Sequence, residues 1–159
     1  MFMCGVTGYI NLNGAPASES ILQNMIDLIS HRGPDDNGSF ISNTFGLGHA
    51  RLSIIDLSKA GRQPMETKDK RYVISYNGEV YNFKELRKEL QALGCNFKSS
   101  TDSEVVLYAF AVWGKSAVKK FNGMFAFAIW DKHKKKLYLV RDRFGIKPLY
   151  YYYSKSCLM

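Results

Sequence analysis

Apolar positions interrupted by glycine run through residues 4–12 and read as a strand, the first of several short extended segments in the chain. In residues 17–30, Ile21, Met25, Leu28 and Ile29 fall at helical spacing and predict an amphipathic helix with those four on its inner face. A stretch rich in Gly, Pro and Asp, residues 31–38, reads as a loop. Strands are predicted at 39–42 and 45–51, followed by an irregular path through Gln63-Pro64 and another strand at 72–76 that ends on a tight Asn77-Gly78 turn. Asn82 with Glu85 three residues on has the form of a helix N-terminal cap; Phe83, Leu86, Leu90 and Leu93 continue at helical spacing, and Gly94 stops the helix. Asp102 is positioned to cap a further helix that runs to Gly114. Residues 124–130 and 137–140 read as paired strands, and 149–153 as a last strand. The pattern is α+β with antiparallel hairpins.

At 159 residues, 46% hydrophobic and 14% aromatic, the chain can bury one substantial core, which predicts one domain. The most apolar stretch, residues 123–130, falls far short of the roughly 20 residues that span a bilayer, and no basic-then-apolar segment opens the chain, so a cytoplasmic protein without a membrane partner is expected. Cys4, Cys95 and Cys157 are odd in number and widely spaced, which fits reduced thiols rather than a disulfide framework or a zinc site. The net charge of +8 is compatible with nucleic-acid binding, but much of it sits at Lys132, Lys134, Lys135 and Lys136 between two strands, where a solvated hairpin turn accounts for it; no nucleic-acid partner is expected.

Phosphate-loop, zinc-protease and close cysteine-pair motifs are all missing, Gly46-x-Gly48 lacks the rest of a dinucleotide fingerprint, and His31, His49 and His133 are too scattered to predict a metal. The positive signal is Cys4-Gly5, directly before a strand. A cysteine at a mature amino terminus carries its own base, because a free α-amine titrates near ~8 and can accept the thiol proton. Asn77-Gly78-Glu79 joins a side-chain amide donor to an adjacent backbone N–H, a pair suited to a developing oxyanion. Arg51 can grip a carboxylate with two prongs, and Asp102 can hold an ammonium. Taken singly, these residues also fit a small buried hydrophobe, a hairpin turn, a surface ion pair and a helix cap.

Together the blocks are more specific. Met3-Cys4-Gly5-Val6-Thr7-Gly8, His31-Arg32-Gly33-Pro34-Asp35, His49-Ala50-Arg51-Leu52-Ser53-Ile54, Tyr76-Asn77-Gly78-Glu79-Val80-Tyr81-Asn82 and Thr101-Asp102-Ser103-Glu104 resemble the glutaminase domain of the asparagine synthetase family. Asn122-Gly123-Met124-Phe125-Ala126-Phe127 and the run from Arg141 to Tyr150 continue the resemblance in the same order. The His-Arg-Gly-Pro-Asp loop and the Arg-Leu-Ser-Ile-Ile-Asp run favour that branch over amidotransferases of amino-sugar and purine synthesis. The resemblance implies a class II, N-terminal-nucleophile glutamine amidotransferase: a four-layer αββα sandwich of two antiparallel sheets between helices. It implies that Cys4 forms a γ-glutamyl thioester from L-glutamine, releasing ammonia and then glutamate, with Asn77 and the Gly78 backbone at the oxyanion. Arg51 would bind the substrate α-carboxylate, and Asp102, with Glu79 and Gly78, the α-ammonium. Leu52 and Ile54 would supply backbone contacts to substrate, with core packing the equal alternative; Arg32 and Asn82 would be supporting residues.

Two features depart from the family's pattern. Met1, Phe2 and Met3 precede Cys4, and a start at Met3 followed by methionine removal would expose the cysteine amine, with self-processing as the other route. The Ser-Gly-Gly-x-Asp-Ser phosphate loop of the synthetase half is missing, so residues 4–159 are expected to form a glutaminase domain that ends before it. No cofactor is then expected in this domain; ATP and Mg belong to a synthetase domain, in the full-length chain or a separate subunit, which would take the ammonia. A homodimer is compatible with this reading. The competing expectation is a catalytically silent domain that binds glutamine or a partner.

Overall fold

In the computed structural model, which describes residues 3–53, 56 and 58–159, eleven regular elements follow one another along the chain. Strand β1 (Gly5–Asn11), helix α1 (Glu19–Leu28), β2 (Asp36–Ser42) and β3 (Phe45–Arg51) come first. Then come β4 (Met65–Glu66), β5 (Tyr72–Val80), α2 (Phe83–Ala92), α3 (Asp102–Trp113), β6 (Gly123–Asp131), β7 (Lys136–Arg141) and β8 (Cys157–Leu158). The strands form two antiparallel sheets of four, ordered β2-β3-β1-β8 and β4-β5-β6-β7.

Alternation along the strands explains the layering, since successive side chains leave a strand on opposite faces. On β5, Tyr72, Ile74, Tyr76 and Val80 join Leu86 and Leu90 of α2 and Val106 and Phe110 of α3 in one core. Val73 faces the other way and meets Phe45 and Leu47 of β3, with Ala128 and Trp130 of β6, between the two sheets; Phe45 stacks on Trp130 with centroids 4.5 Å apart. A third, smaller core of Tyr9, Leu22 and Ile26 seats α1 on the outer face of the first sheet. The result is the expected αββα sandwich. Among the described residues no helix is long and apolar enough to cross a membrane.

Several local expectations change. The buried face of α1 is Leu22 and Ile26, while Ile21 and Leu28 are 52% and 78% exposed, so the helix is rotated from the reading that pointed Ile21 and Leu28 inward. Asn77 and Gly78 form no turn: β5 runs through them to Val80, in register with β6 from Gly123 to Asp131. The glycine answers to crowding, because a Cβ at Gly78 would lie 2.4 Å from the Met124 carbonyl oxygen and 2.6 Å from the Phe125 Cα. Asn82 precedes α2 but makes no capping bond; its amide donates to the Lys120 carbonyl and its oxygen accepts from the Asn122 N–H, tying the helix start to the entry of β6. Thr101, not Asp102, caps α3, accepting from the Glu104 N–H, which frees the Asp102 carboxylate for other work. The aromatic run 149–153 forms no named strand; an isolated bridge, Tyr153 to Leu158, the reciprocal main-chain bonds of Tyr152 and Met159 and the two-residue β8 order this end, with Tyr150 to Tyr153 exposed.

His49 and Ser75 join the sheets in the middle of the sandwich. Ser75 Oγ donates to the Gly48 carbonyl at 3.0 Å, so its single proton is committed and the His49 Nδ1, 3.0 Å away, must carry the hydrogen between them. His49 Nε2 is then a bare acceptor, buried and without a partner among the described residues. Burial, with the Arg51 charge second, lowers the His49 pKa from 6.5 to about 3. The unfolded chain therefore takes up this proton first as pH falls. The stability His49 contributes is complete above pH 6.5 and is lost between there and about 3, at about 1.4 kcal/mol per pH unit. Urea unfolding at pH 7 and pH 4.5 is expected to show a smaller pH dependence for His49→Gln than for the unsubstituted protein; equal dependence would contradict the assignment.

Candidate active site

One end of the intersheet layer changes from apolar to polar. Along β3 the inward positions run Phe45, Leu47, His49, Arg51, and along β5 they run Val73, Ser75, Asn77, so the last members of both rows meet where β1 begins with Cys4 just before it. A cleft of about 140 Å³ opens there, lined by Cys4, Arg51, Leu52, Asn77, Gly78, Glu79 and Asp102. Every described residue of the expected site thus faces one cavity. Ile54, expected beside Leu52, lies outside the described residues.

The Cys4 sulfur is held by the main chain of Leu52: the Leu52 N–H donates to Sγ at 3.3 Å, and the thiol faces the Leu52 carbonyl at 3.5 Å. Leu52 therefore serves the cysteine directly through its backbone. Desolvation pushes the Cys4 thiol above its usual range; the Leu52 N–H and the Arg51 charge pull the other way without reversing it. The resting group is a thiol that needs a base. Arg32, outside the cleft, donates from Nε to the Cys4 carbonyl at 3.3 Å and braces the residue from behind. Met3 also lines the cleft, with its sulfur 2.7 Å from the buried Lys147 Nζ.

Arg51 is 6% exposed. Its guanidinium donates to the carbonyls of Ser58 (3.0 Å) and Asp56, and among the described residues no carboxylate pairs with it. A buried guanidinium with only neutral acceptors leaves donors and charge for an anionic ligand, and its planar fork matches a carboxylate. Across the cleft, Asp102 opens α3; its Oδ2 accepts from the Tyr76 hydroxyl at 2.6 Å and from the Val80 N–H at 2.9 Å. Burial raises the Asp102 pKa, against the pull of the Tyr76 hydrogen bond and the Val80 N–H, so a cation docking here would favour its ionised form.

The remaining donors lie on β5. Main-chain groups of alternate residues in an antiparallel strand face alternate neighbours. The Tyr72 carbonyl accepts from the Thr67 N–H on the β4 side and the Val80 N–H reaches Asp102 on that same edge, so the Gly78 N–H, between them in the alternation, also faces the cleft edge rather than β6. Asn77 points into the intersheet layer and lines the same cleft, and among the described residues its carboxamide finds no partner. Two N–H donors without a partner among the described residues thus share one cleft with a thiol, a cation and an anion. Gln63, Tyr76, Thr101, Ser103, Met124 and Lys147 also line the cleft and were not singled out as site residues from sequence; Tyr76 and Lys147 sat within recognised blocks, whereas Gln63 fell in the stretch read as irregular. Among the described residues no cluster of three or more His, Cys, Asp or Glu is arranged to hold a metal.

Comparison with known proteins agrees with this arrangement. Asparagine synthetase [glutamine-hydrolyzing] 1 of Bacillus subtilis is 45% identical over 152 residues, covering 94% of this chain and 24% of its own length. Amidase chyE of Penicillium rubens is 38% identical over 160 residues, again covering 94% of this chain and 24% of its own. The chain thus spans about a quarter of the length of these relatives. Among solved structures, glutamine phosphoribosylpyrophosphate amidotransferase from B. subtilis superimposes with a TM-score of 0.79 over 96% of this chain and 40% of its own, at 18% identity, which shows a shared fold. The profile of the glutamine amidotransferase domain matches residues 3–159, and this chain belongs to that family.

Proposed function

We propose that the domain hydrolyses the side-chain amide of free L-glutamine through a Cys4 thioester. The observation that carries this is the meeting, in one cleft, of the Cys4 thiol, the Arg51 guanidinium, the Asp102 carboxylate and donors of Asn77 and Gly78 that have no partner among the described residues. A free amino acid carries one charge of each sign, and Arg51 and Asp102 offer the complementary pair in the lining of one cleft. With Cys4 as the first residue, its neutral α-amine takes the proton from Sγ and the thiolate attacks the amide carbon. The negative charge that develops on the amide oxygen is held by the Asn77 carboxamide and the Gly78 N–H. Collapse of this intermediate breaks the C–N bond, and the protonated amine gives its proton to the departing ammonia. The amine then takes a proton from water, which attacks the thioester; the C–S bond breaks, glutamate leaves, and the amine returns the proton to the Cys4 sulfur. An amide nitrogen is no base, so a chain in which Met3 remains joined to Cys4 lacks this route.

The ammonia acceptor belongs to a synthetase partner in this proposal, and the ATP-dependent step lies there. The similar proteins are described as asparagine synthetases and as amidases, so aspartate is one candidate acceptor and not the sole one.

The charge pair gives the test. Arg51→Lys keeps the charge but removes the fork, and KM for glutamine is expected to rise roughly 10- to 100-fold, in keeping with loss of a charge-assisted pair. A peptide with glutamine blocked at both ends is expected to be hydrolysed at no measurable rate. Comparable turnover of the blocked peptide would overturn the reading. The competing reading, a silent glutamine-binding domain, predicts binding of free glutamine without ammonia release from a chain that begins at Cys4.

A further inference from the structure

The short strand β4 pairs with β5 at Met65–Ile74 and Glu66–Val73. Extending that register places position 63 opposite Tyr76 and position 61 opposite Gly78. The main chain does not follow it. At Gln63 it has crossed to the first sheet, where its carbonyl packs on Gly38 of β2 so closely that a Cβ there would lie 2.2 Å from the oxygen. Arg62 fixes the crossing by donating to the Asn37 carbonyl at 2.8 Å and pairing with Asp36. The side chain of Gln63 takes the place the main chain has left: Oε1 accepts from the Tyr76 N–H at 2.7 Å, and Nε2 donates to the Tyr76 carbonyl at 3.3 Å. One carboxamide therefore supplies both bonds that a strand residue would have made, and it is 6% exposed, so water does not compete for them.

This substitution has a consequence for the next free position on the edge. A main-chain ladder carried two residues further would occupy the Gly78 N–H, whereas an edge released at Met65 would leave Tyr76 to Gly78 held by β6 on one side alone. Position 61 instead turns away, with its Cα beside the Arg51 guanidinium, where a Cβ would lie 2.5 Å from Nη2. Tyr76 is also the residue whose hydroxyl holds Asp102. We infer that Gln63 is a positioning residue for the oxyanion donors: its carboxamide ends the β4–β5 ladder at Tyr76, fixing Asn77 and Gly78 while leaving the Gly78 N–H open to the substrate.

The inference rests on the proposed glutamine hydrolysis, and the experiment separates the two. In the chain with Cys4 first, Gln63→Met keeps the length of the side chain and loses both bonds; Gln63→Glu keeps an acceptor for the Tyr76 N–H and loses the donor. Both are expected to lower kcat roughly 10- to 100-fold, as for a misplaced oxyanion donor, with KM within about threefold, because glutamine is gripped elsewhere. Glutamate γ-semialdehyde, whose adduct with Cys4 places an oxygen at the same donors, is expected to lose affinity by the same factor as kcat, while glutamate affinity stays put. A purely structural Gln63 would lower the melting temperature and weaken both ligands alike; that result, or folded variants with kcat within twofold, overturns the inference. Should Cys4→Ala retain activity, the hydrolysis reading itself falls; if Cys4→Ala is inactive and the Gln63 variants keep kcat, only the role of Gln63 is lost.

Discussion

In a chain whose first residue is Cys4, Cys4→Ala is expected to abolish glutamine hydrolysis, lowering kcat by roughly 10⁴-fold or more, as removal of a nucleophile does elsewhere. The reason is specific to this cleft. The proposed covalent route has Cys4 as its nucleophile, and the other two cysteines, Cys95 and Cys157, do not line the site. Glutamine affinity should survive, because the charged grips at Arg51 and Asp102 do not involve the sulfur, and isothermal titration with glutamine can show this. Cys4→Ser retains a donor to the Leu52 carbonyl but replaces a thiol with a far weaker acid, and it should fall close to the alanine variant. The same assay on the chain that keeps residues 1–3 should show no turnover, since the Cys4 nitrogen is then an amide and Met3 stands in the cleft. Ammonia release by Cys4→Ala at a tenth of the original rate or more would remove the cysteine from the mechanism.

The second large effect belongs to Asn77. Asn77→Ala should lower kcat by roughly 10²- to 10³-fold with KM nearly unchanged, the signature of a donor engaged only when charge builds on the amide oxygen. Asn77 is buried at the polar end of the intersheet row, and its carboxamide has no structural bond to lose among the described residues, so truncation should leave the melting temperature near that of the parent. Steady-state kinetics beside thermal unfolding decide the matter: a raised KM at constant kcat would make Asn77 a ground-state contact instead.

The main features of this account were legible in the residues, and the misses have physical causes. Strand 45–51 is legible to its bounds because its apolar and glycine positions are flanked by clear breaks, and α2 because Phe83, Leu86 and Leu90 repeat at helical spacing. Local propensity favours a turn at Asn77-Gly78; the actual demand on that glycine comes from the β6 backbone at Met124 and Phe125, some 46 residues away in the chain. Asp102 looked like a cap because it opens a helix, yet Thr101 performs that task one residue earlier, and Asp102 instead accepts from Tyr76 and Val80. The run 149–153 has strand composition but pairs only at its end, Tyr152 with Met159 and Tyr153 with Leu158, and its tyrosines remain exposed.

The candidate site was more legible than the fold, because Cys4, Arg51, Asn77, Gly78, Glu79 and Asp102 sit in recognisable blocks and all meet in one cleft. Gln63 was not. Its work depends on which edge of β5 the Tyr76 amide faces and on where β4 leaves the ladder, and neither is written in the residues around it. The Leu52 main chain escaped a firm assignment for a similar reason: its contact with Cys4 joins residues 48 apart in sequence.

The most direct test of the account is the identity of the covalent intermediate. The chain beginning at Cys4 should be mixed with glutamine, quenched in acid within a turnover, and digested for peptide mass mapping. The account predicts the mass of one γ-glutamyl group on the peptide that carries Cys4, and none in Cys4→Ala. Ammonia production with no such adduct, or with the adduct on the peptide of Cys95 or Cys157, would contradict it.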